Sequence, residues 1–128
     1  MTMIVSRKIF LAALVMIAAS FAAVAEQGAK TTISGWVIDS ACAFTKGLDK
    51  PISKQCAVAC AKKGSPLVIM RNDGTIFLPV SDKIPATAQN QKLLPYAGQH
   101  VTVTGKEYMR AGTHALVIET IAAKKSIF

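Results

Sequence analysis

Apolar and polar residues alternate along most of the chain after residue 30, which predicts β-strands rather than amphipathic helices. The runs that are rich in β-branched residues and bounded by turn signals are residues 31–39, 67–71, 75–80, 99–110 and 113–123. Asp73-Gly74 favours a tight hairpin between the second and third runs. Gly35, inside the first run, indicates a bulge or a bend. The pattern therefore predicts five strands.

Two helical segments are predicted between these strands. Residues 40–51 are expected to form a loop, after which Ser53 is suited to cap a short helix of about ten residues. Cys56 and Cys60 lie four residues apart in that helix, so both project from one face. Residues 92–97 predict one more helical turn before the last pair of strands.

Five short strands with a helical turn before the last hairpin are typical of a mainly β, five-stranded Greek-key barrel of the OB type. The cysteine-bearing helix would be an insertion after the first strand. The expected barrel domain covers residues 31–123, between polar tails at 26–30 and 124–128. The expected core residues are Trp36, Val37, Val101, Val103, Leu116 and Ile118.

The first 25 residues have the pattern of a bacterial signal peptide. Arg7 and Lys8 precede an uncharged apolar run, and Ala23-Val24-Ala25 is a small-x-small cleavage pattern. We expect export to the periplasm or the medium, with Glu26 as the new N-terminus and no membrane span after cleavage. The leader also explains the 52% hydrophobic content of the chain, because the remainder has an ordinary soluble-domain composition.

Basic residues exceed acidic ones, with a formal net charge of +8 for the chain and +6 without the leader. OB barrels bind nucleic acid through aromatic platforms on a basic groove, and Trp36, Tyr96 and Tyr108 are the candidate ligand-surface aromatics. Export argues against a nucleic-acid partner. An anionic ligand or protein of the cell envelope suits this charge better.

The three cysteines, Cys42, Cys56 and Cys60, would lie in an oxidising compartment, where a disulfide is the ordinary state of a cysteine pair. We predict that Cys42 pairs with Cys60, with Cys56 as the alternative partner. A bridge between the long loop and the helix would contribute roughly 3 kcal/mol of stability. One thiol remains unpaired in either case.

An alternative interpretation treats the cysteines as metal ligands. Two histidines on strands predicted to pair would complete a set suited to zinc, copper or haem. That set is Cys42, Cys56, Cys60, His100 and His114. The simpler expectation is that both histidines are surface residues and that the protein holds no metal or cofactor.

Catalytic motifs are missing from the sequence. Asp39, Ser40 and His100 could form a triad only on paper, because no nucleophile elbow or Gly-rich oxyanion loop accompanies them. The Gly-x-Gly-x-x-Gly and phosphate-loop patterns are also absent. We therefore expect no enzymatic activity.

Three segments together resemble a group of small secreted bacterial OB-fold-like proteins whose function is not established. They are Gly-Trp-Val-Ile-Asp-Ser with Cys42, the Cys-x-x-x-Cys helix, and the Tyr-Ala-Gly-x-x-Val-x-Val-x-Gly element. The resemblance implies an OB-like fold and brings no activity with it. Members often carry a histidine soon after the first cysteine, whereas residues 43–46 contain none, so a Cys₃His metal site is not implied here.

These observations predict an exported, non-enzymatic OB-like module that binds a ligand of the bacterial envelope. The alternative is a metal-binding or redox-linked periplasmic protein that uses Cys42, Cys56 and Cys60.

Overall fold

The computed structural model describes residues 28–125. The predicted leader at residues 1–25 lies outside the described residues. Among the described residues, no helix is both long enough and apolar enough to cross a bilayer.

Five strands and several short helices make up the described chain. In order they are β1 (Ala29–Asp39), α1 (Ser40–Thr45), α2 (Lys54–Lys62), β2 (Leu67–Met70), β3 (Ile76–Pro79), α3 (Asn90–Leu93), a 3₁₀ turn (Leu94–Tyr96), β4 (His100–Arg110) and β5 (Thr113–Ala123). Helix α1 occupies a segment that the sequence predicts as loop. β1 also begins two residues earlier than predicted and takes in the end of the expected N-terminal tail.

The strands close into a barrel in the order β1-β2-β3-β5-β4. β3 and β5 pair in parallel, and the other neighbouring strands are antiparallel. This arrangement confirms the predicted five-stranded OB-like barrel.

Two glycines allow backbones to approach closely within the barrel wall. A Cβ at Gly105 would lie 2.0 Å from the carbonyl oxygen of Val117, and the β4–β5 register shifts at this point. At Gly35 the pairing with β4 continues without a shift, so the predicted bulge there is wrong. A Cβ at Gly35 would instead lie 2.6 Å from the carbonyl oxygen of Met70.

The barrel interior is filled by residues that alternate along the strands, as the period-2 pattern predicts. Val37, Val101, Val103, Leu116 and Ile118 are buried there, as expected. Trp36 is only half-buried and packs against a separate cluster outside the barrel, so its predicted place in the barrel core is wrong. Successive residues on a strand point to opposite faces, and Val37 is the one that points inward.

The second apolar cluster covers the outer face of β1 and β2. Its buried members are Ile38, Ala43, Val68 and Met70. All four residues of β2 are therefore buried, alternately inside the barrel and beneath α1. A strand covered on both faces is expected to be a continuous apolar run.

Helix α2 closes one end of the barrel. Ser53 caps it, as the sequence predicts, and Ala57 joins the main core with Leu93 and Ala97 from the helical segment before β4. The helix thus lies outside the barrel wall but contributes to the core.

Candidate functional site

A groove of about 470 Å³ lies where α1, the β2–β3 hairpin and the β4–β5 turn meet. Ligand pockets in proteins are typically about 300–1,000 Å³. In OB folds, the loops after the first and fourth strands border the ligand face. Here those loops are the segment that contains α1 and the short turn at Ala111-Gly112. The groove therefore occupies the position at which this fold commonly binds ligands.

Phe44 is the main aromatic group at this groove. Phe44 is 69% exposed, whereas the neighbouring Ala43 is only 4% exposed. Ala43 packs into the cluster outside the barrel and thereby anchors α1, which leaves the next side chain at the surface. Phe44 was not among the candidate residues, because α1 was not predicted.

His114, another residue of the groove wall, is paired with a carboxylate. Nδ1 of His114 donates a hydrogen bond to Oε1 of Glu107, and both side chains are largely buried. The ring of His114 also lies 5.0 Å from that of Phe77, measured between centroids. These contacts hold the imidazole at the edge of the groove.

The β2–β3 hairpin adds hydroxyl and carboxylate groups. Oδ1 of Asp73 accepts the N–H of Thr75 at 2.9 Å, and Oδ2 lies 3.4 Å from Arg71. The hydrogen bonds from Thr75 and then the charge of Arg71 lower the pKa of Asp73 below its usual value. The groove thus combines an aromatic ring and aliphatic groups with a carboxylate that stays ionised.

A second pocket, of about 350 Å³, lies at the other end of the β2–β3 hairpin. Gln89 lines it, and Oε1 of this buried side chain has no hydrogen-bond partner in the described residues. Its walls otherwise consist of small, apolar or uncharged residues. This pocket therefore has no charged or aromatic side chain among the described residues of its walls, unlike the groove beside Phe44.

The cysteines come together on the other side of α1. Asp39, the last residue of β1, accepts the N–H of Cys42 at 3.1 Å and so caps α1. Ser53 caps α2 in the same way by accepting the N–H of Cys56 at 3.2 Å. Each cap therefore fixes a cysteine in the first turn of a helix.

A small pocket of about 20 Å³ separates these two helix starts, and Cys42, Lys50 and Cys56 contribute to its walls. Lys50 lies in the loop between α1 and α2. A hydrogen bond with Cys42, and the charges of Cys42 and Cys56, raise the pKa of Lys50 above its usual value. The ammonium group is therefore held beside two thiols.

Cys60 has different surroundings. Burial raises the pKa of its thiol, and the negative charge of Asp39 and the two neighbouring cysteines raise it further. The thiol also hydrogen-bonds to Asp39, whose residue is 1% exposed. Cys60 consequently stays protonated at neutral pH.

All three cysteines are free thiols in the structure. The predicted bridge from Cys42 to Cys60, with Cys56 as alternative, stays a prediction. The sequence correctly indicated that the loop after β1 and the Cys-bearing helix meet. It missed Asp39 and Lys50 as members of the cluster, although an Asp three residues before Cys42 is a recognisable capping signal.

The alternative metal-ligand set is not assembled. Among residues 28–125, no three His, Cys, Asp or Glu side chains are arranged to hold a metal ion. His100 begins β4 near Lys124 at the end of β5, whereas His114 pairs with Met109 near the opposite end of that hairpin. The two histidines are therefore separated along the strands.

The three aromatic ligand candidates do not form one platform. Trp36 pairs with His100 at the start of β4 and donates from Nε1 to Asn72. Tyr108 is eight residues further along β4, or about 26 Å in an extended strand. Tyr96 lies in the 3₁₀ turn and donates its hydroxyl to the carbonyl of Ile121. Stacking along a single groove is thus not available to this set.

Comparison with protein-family models, with curated proteins and with solved structures finds no match for this chain. The resemblance to the small secreted OB-fold-like proteins stays a prediction.

Proposed function

We propose that this protein is an exported, non-enzymatic OB-like module that binds an envelope ligand in the groove between α1 and the two hairpins. The observation that carries the proposal is the exposed ring of Phe44 at a groove of about 470 Å³. The groove is bordered by the same two loops that OB folds use for oligonucleotides and oligosaccharides.

The chemistry of the groove favours a sugar-containing ligand. Sugars present apolar ring faces and hydroxyl edges. Phe44 offers a flat apolar surface, while Thr75, Thr113 and His114 add polar groups along the same walls. The excess of basic residues over acidic ones across the chain would attract an anionic polymer to the protein surface, while the groove, which carries the carboxylate of Asp73, would contact uncharged parts of the sugar. An anionic glycan of the envelope combines these properties.

Titration of the chain from residue 26 with soluble peptidoglycan fragments, followed by amide chemical shifts, tests this proposal. We expect shifts in α1, at residues 73–76 and at residues 112–114. Phe44→Ala should weaken binding about tenfold, because aromatic contacts at binding sites are commonly worth 1 kcal/mol or more.

Ile84→Ala is the matched control. Ile84 is 92% exposed and lies in the connector after β3, so its truncation should leave binding unchanged. A parallel titration with polyphosphate separates glycan recognition from attraction to negative charge alone. Equal effects of the two substitutions, or shifts confined to other surfaces, would contradict the proposal.

A further inference from the structure

The cysteine cluster combines two thiols beside a cation with a third beside an anion. Cys42 and Cys56 border the pocket that Lys50 enters, and Cys60 hydrogen-bonds to the buried Asp39. Ammonium groups favour thiolates, whereas burial and carboxylates favour neutral thiols. The three cysteines therefore differ in the charged groups that lie beside them.

We propose that Cys42 and Cys56 form a redox-active dithiol that exchanges with small-molecule disulfides, with Cys42 as the attacking sulfur and Lys50 as the cation beside it. The site is separate from the groove, and its chemistry does not depend on ligand binding there.

Both thiols belong to helix starts that meet at one pocket. Each belongs to a first helical turn whose start is held by a side-chain cap, at Asp39 for Cys42 and at Ser53 for Cys56. Lys50 lies between the two helices and interacts with both thiols. The intervening pocket has room for about one water molecule, so the two thiols border a space of nearly sulfur-atom size.

Both thiols of the proposed pair are accessible. Cys56 is exposed and Cys42 half-buried, so a small disulfide can reach both from solvent. Burial and then the negative charge of Asp39 raise the pKa of the Cys60 thiol, and a protonated thiol is a poor nucleophile. The proposed partner of Cys42 is therefore Cys56, which the sequence offered only as the alternative.

The exchange takes place in two steps. Cys42 loses its proton to solvent and attacks one sulfur of a disulfide RSSR, forming a Cys42–SR mixed disulfide and releasing RS⁻, which takes up a proton from water. Cys56 loses its proton to solvent and attacks Sγ of Cys42, forming the Cys42–Cys56 bond and releasing the second RS⁻, which also takes up a proton from water. Overall, two protein thiols are oxidised and one RSSR is reduced to two RSH.

Reaction of the reduced chain from residue 26 with oxidised glutathione, quenched with acid and mapped by mass spectrometry, tests the proposal. We expect a Cys42–Cys56 disulfide in the wild type and in Cys60→Ser. In Cys56→Ser a mixed disulfide of glutathione with Cys42 should accumulate, because the second step is blocked.

Lys50 provides the test of mechanism. Lys50→Ala should slow the first step about three- to tenfold, and Lys50→Arg should restore most of the rate. The difference should shrink at about 1 M salt, because an exposed ammonium is screened there. Lys46→Ala, in the same loop, is the matched control and should react as the wild type does.

Three results would overturn the proposal. A Cys42–Cys60 bridge that forms equally fast in Lys50→Ala indicates a structural disulfide. Equal alkylation rates at all three thiols indicate no activation. Protection of all three until a chelator is added indicates a metal site. Circular dichroism of each variant excludes loss of folding as the cause.

Discussion

Two capping residues, Asp39 and Ser53, connect local sequence to the candidate thiol site. Each accepts the backbone N–H three residues later, and in both cases that residue is a cysteine. A cap fixes the backbone of the first helical turn, and with it the direction of the side chain. The same Asp39 also holds the thiol of Cys60. A single buried carboxylate thus organises two of the three cysteines.

His100 makes the stability of the protein depend on pH. Burial, and then the positive charge of Lys124, lower the pKa of His100 below its ordinary value of 6.5. The unfolded chain therefore takes up this proton more readily than the folded one. The contribution of neutral His100 is complete above pH 6.5 and is lost as the pH falls through and below that value.

Urea unfolding between pH 7.5 and 5 measures this effect. We predict that the free energy of unfolding of the wild type falls over this range, and that His100→Asn loses less stability over the same range. Lys106→Ala, at an exposed position of the same strand, is the control and should keep the pH dependence of the wild type. An identical pH dependence of the wild type and His100→Asn would disprove the assignment.

Among the elements, α1 was not predicted from the sequence, yet it borders both candidate sites. Its six residues contribute Cys42 to the thiol pocket and Phe44 to the groove. So short a helix has no periodic stripe by which to recognise it. It is stable because Ala43 is buried against the outer faces of β1 and β2.

Gly105 allows the bend at which β4 and β5 change register. Gly105→Ala should destabilise the protein by more than about 2 kcal/mol, because its Cβ would meet the backbone of Val117 rather than a movable side chain. Chemical unfolding measures the change. Lys106→Ala, at the exposed neighbouring position, should stay within about 0.5 kcal/mol of the wild type. An equally small effect of Gly105→Ala would contradict the prediction, because it would show that β4 and β5 can move apart at this point without loss of stability.

In the molecule as a whole, the barrel interior holds the main core, and both candidate sites lie outside it. Helix α1 and its neighbouring loops cover part of the outside and create both the groove and the thiol pocket. These two sites share α1 but are bordered by different residues. Each can therefore be altered by substitution without changing the other.

Export is a prediction about the whole chain. The basic start and Ala23-Val24-Ala25 predict cleavage after residue 25. Expression in a bacterial host, followed by N-terminal sequencing of the periplasmic protein, should give a chain beginning at Glu26. Substituting Ala25 with a large residue such as Phe should block processing, and substituting Glu26 with Gln should not. Recovery of the full-length wild-type chain from membranes would refute the prediction.

Local sequence patterns were enough to predict the strands, the turns and the cap of α2. These depend on neighbouring residues: alternation defines a strand face, Asp73-Gly74 a hairpin, and Ser53 a helix start. The five-strand count and the helical turn before the last hairpin were enough to predict the barrel. Five of the six core residues expected from the alternation, Val37, Val101, Val103, Leu116 and Ile118, also occupy inward positions.

Tertiary structure alone decided which face of β1 is covered and which side chains meet. Trp36 lies outside the barrel because Val37 takes the inward position. Lys50 meets Cys42 and Cys56 only because a loop brings two helix starts together. Phe44 borders a groove whose other walls come from residues some 30 and 70 positions later. Such contacts depend on how distant segments close the barrel, and no local pattern encodes that closure.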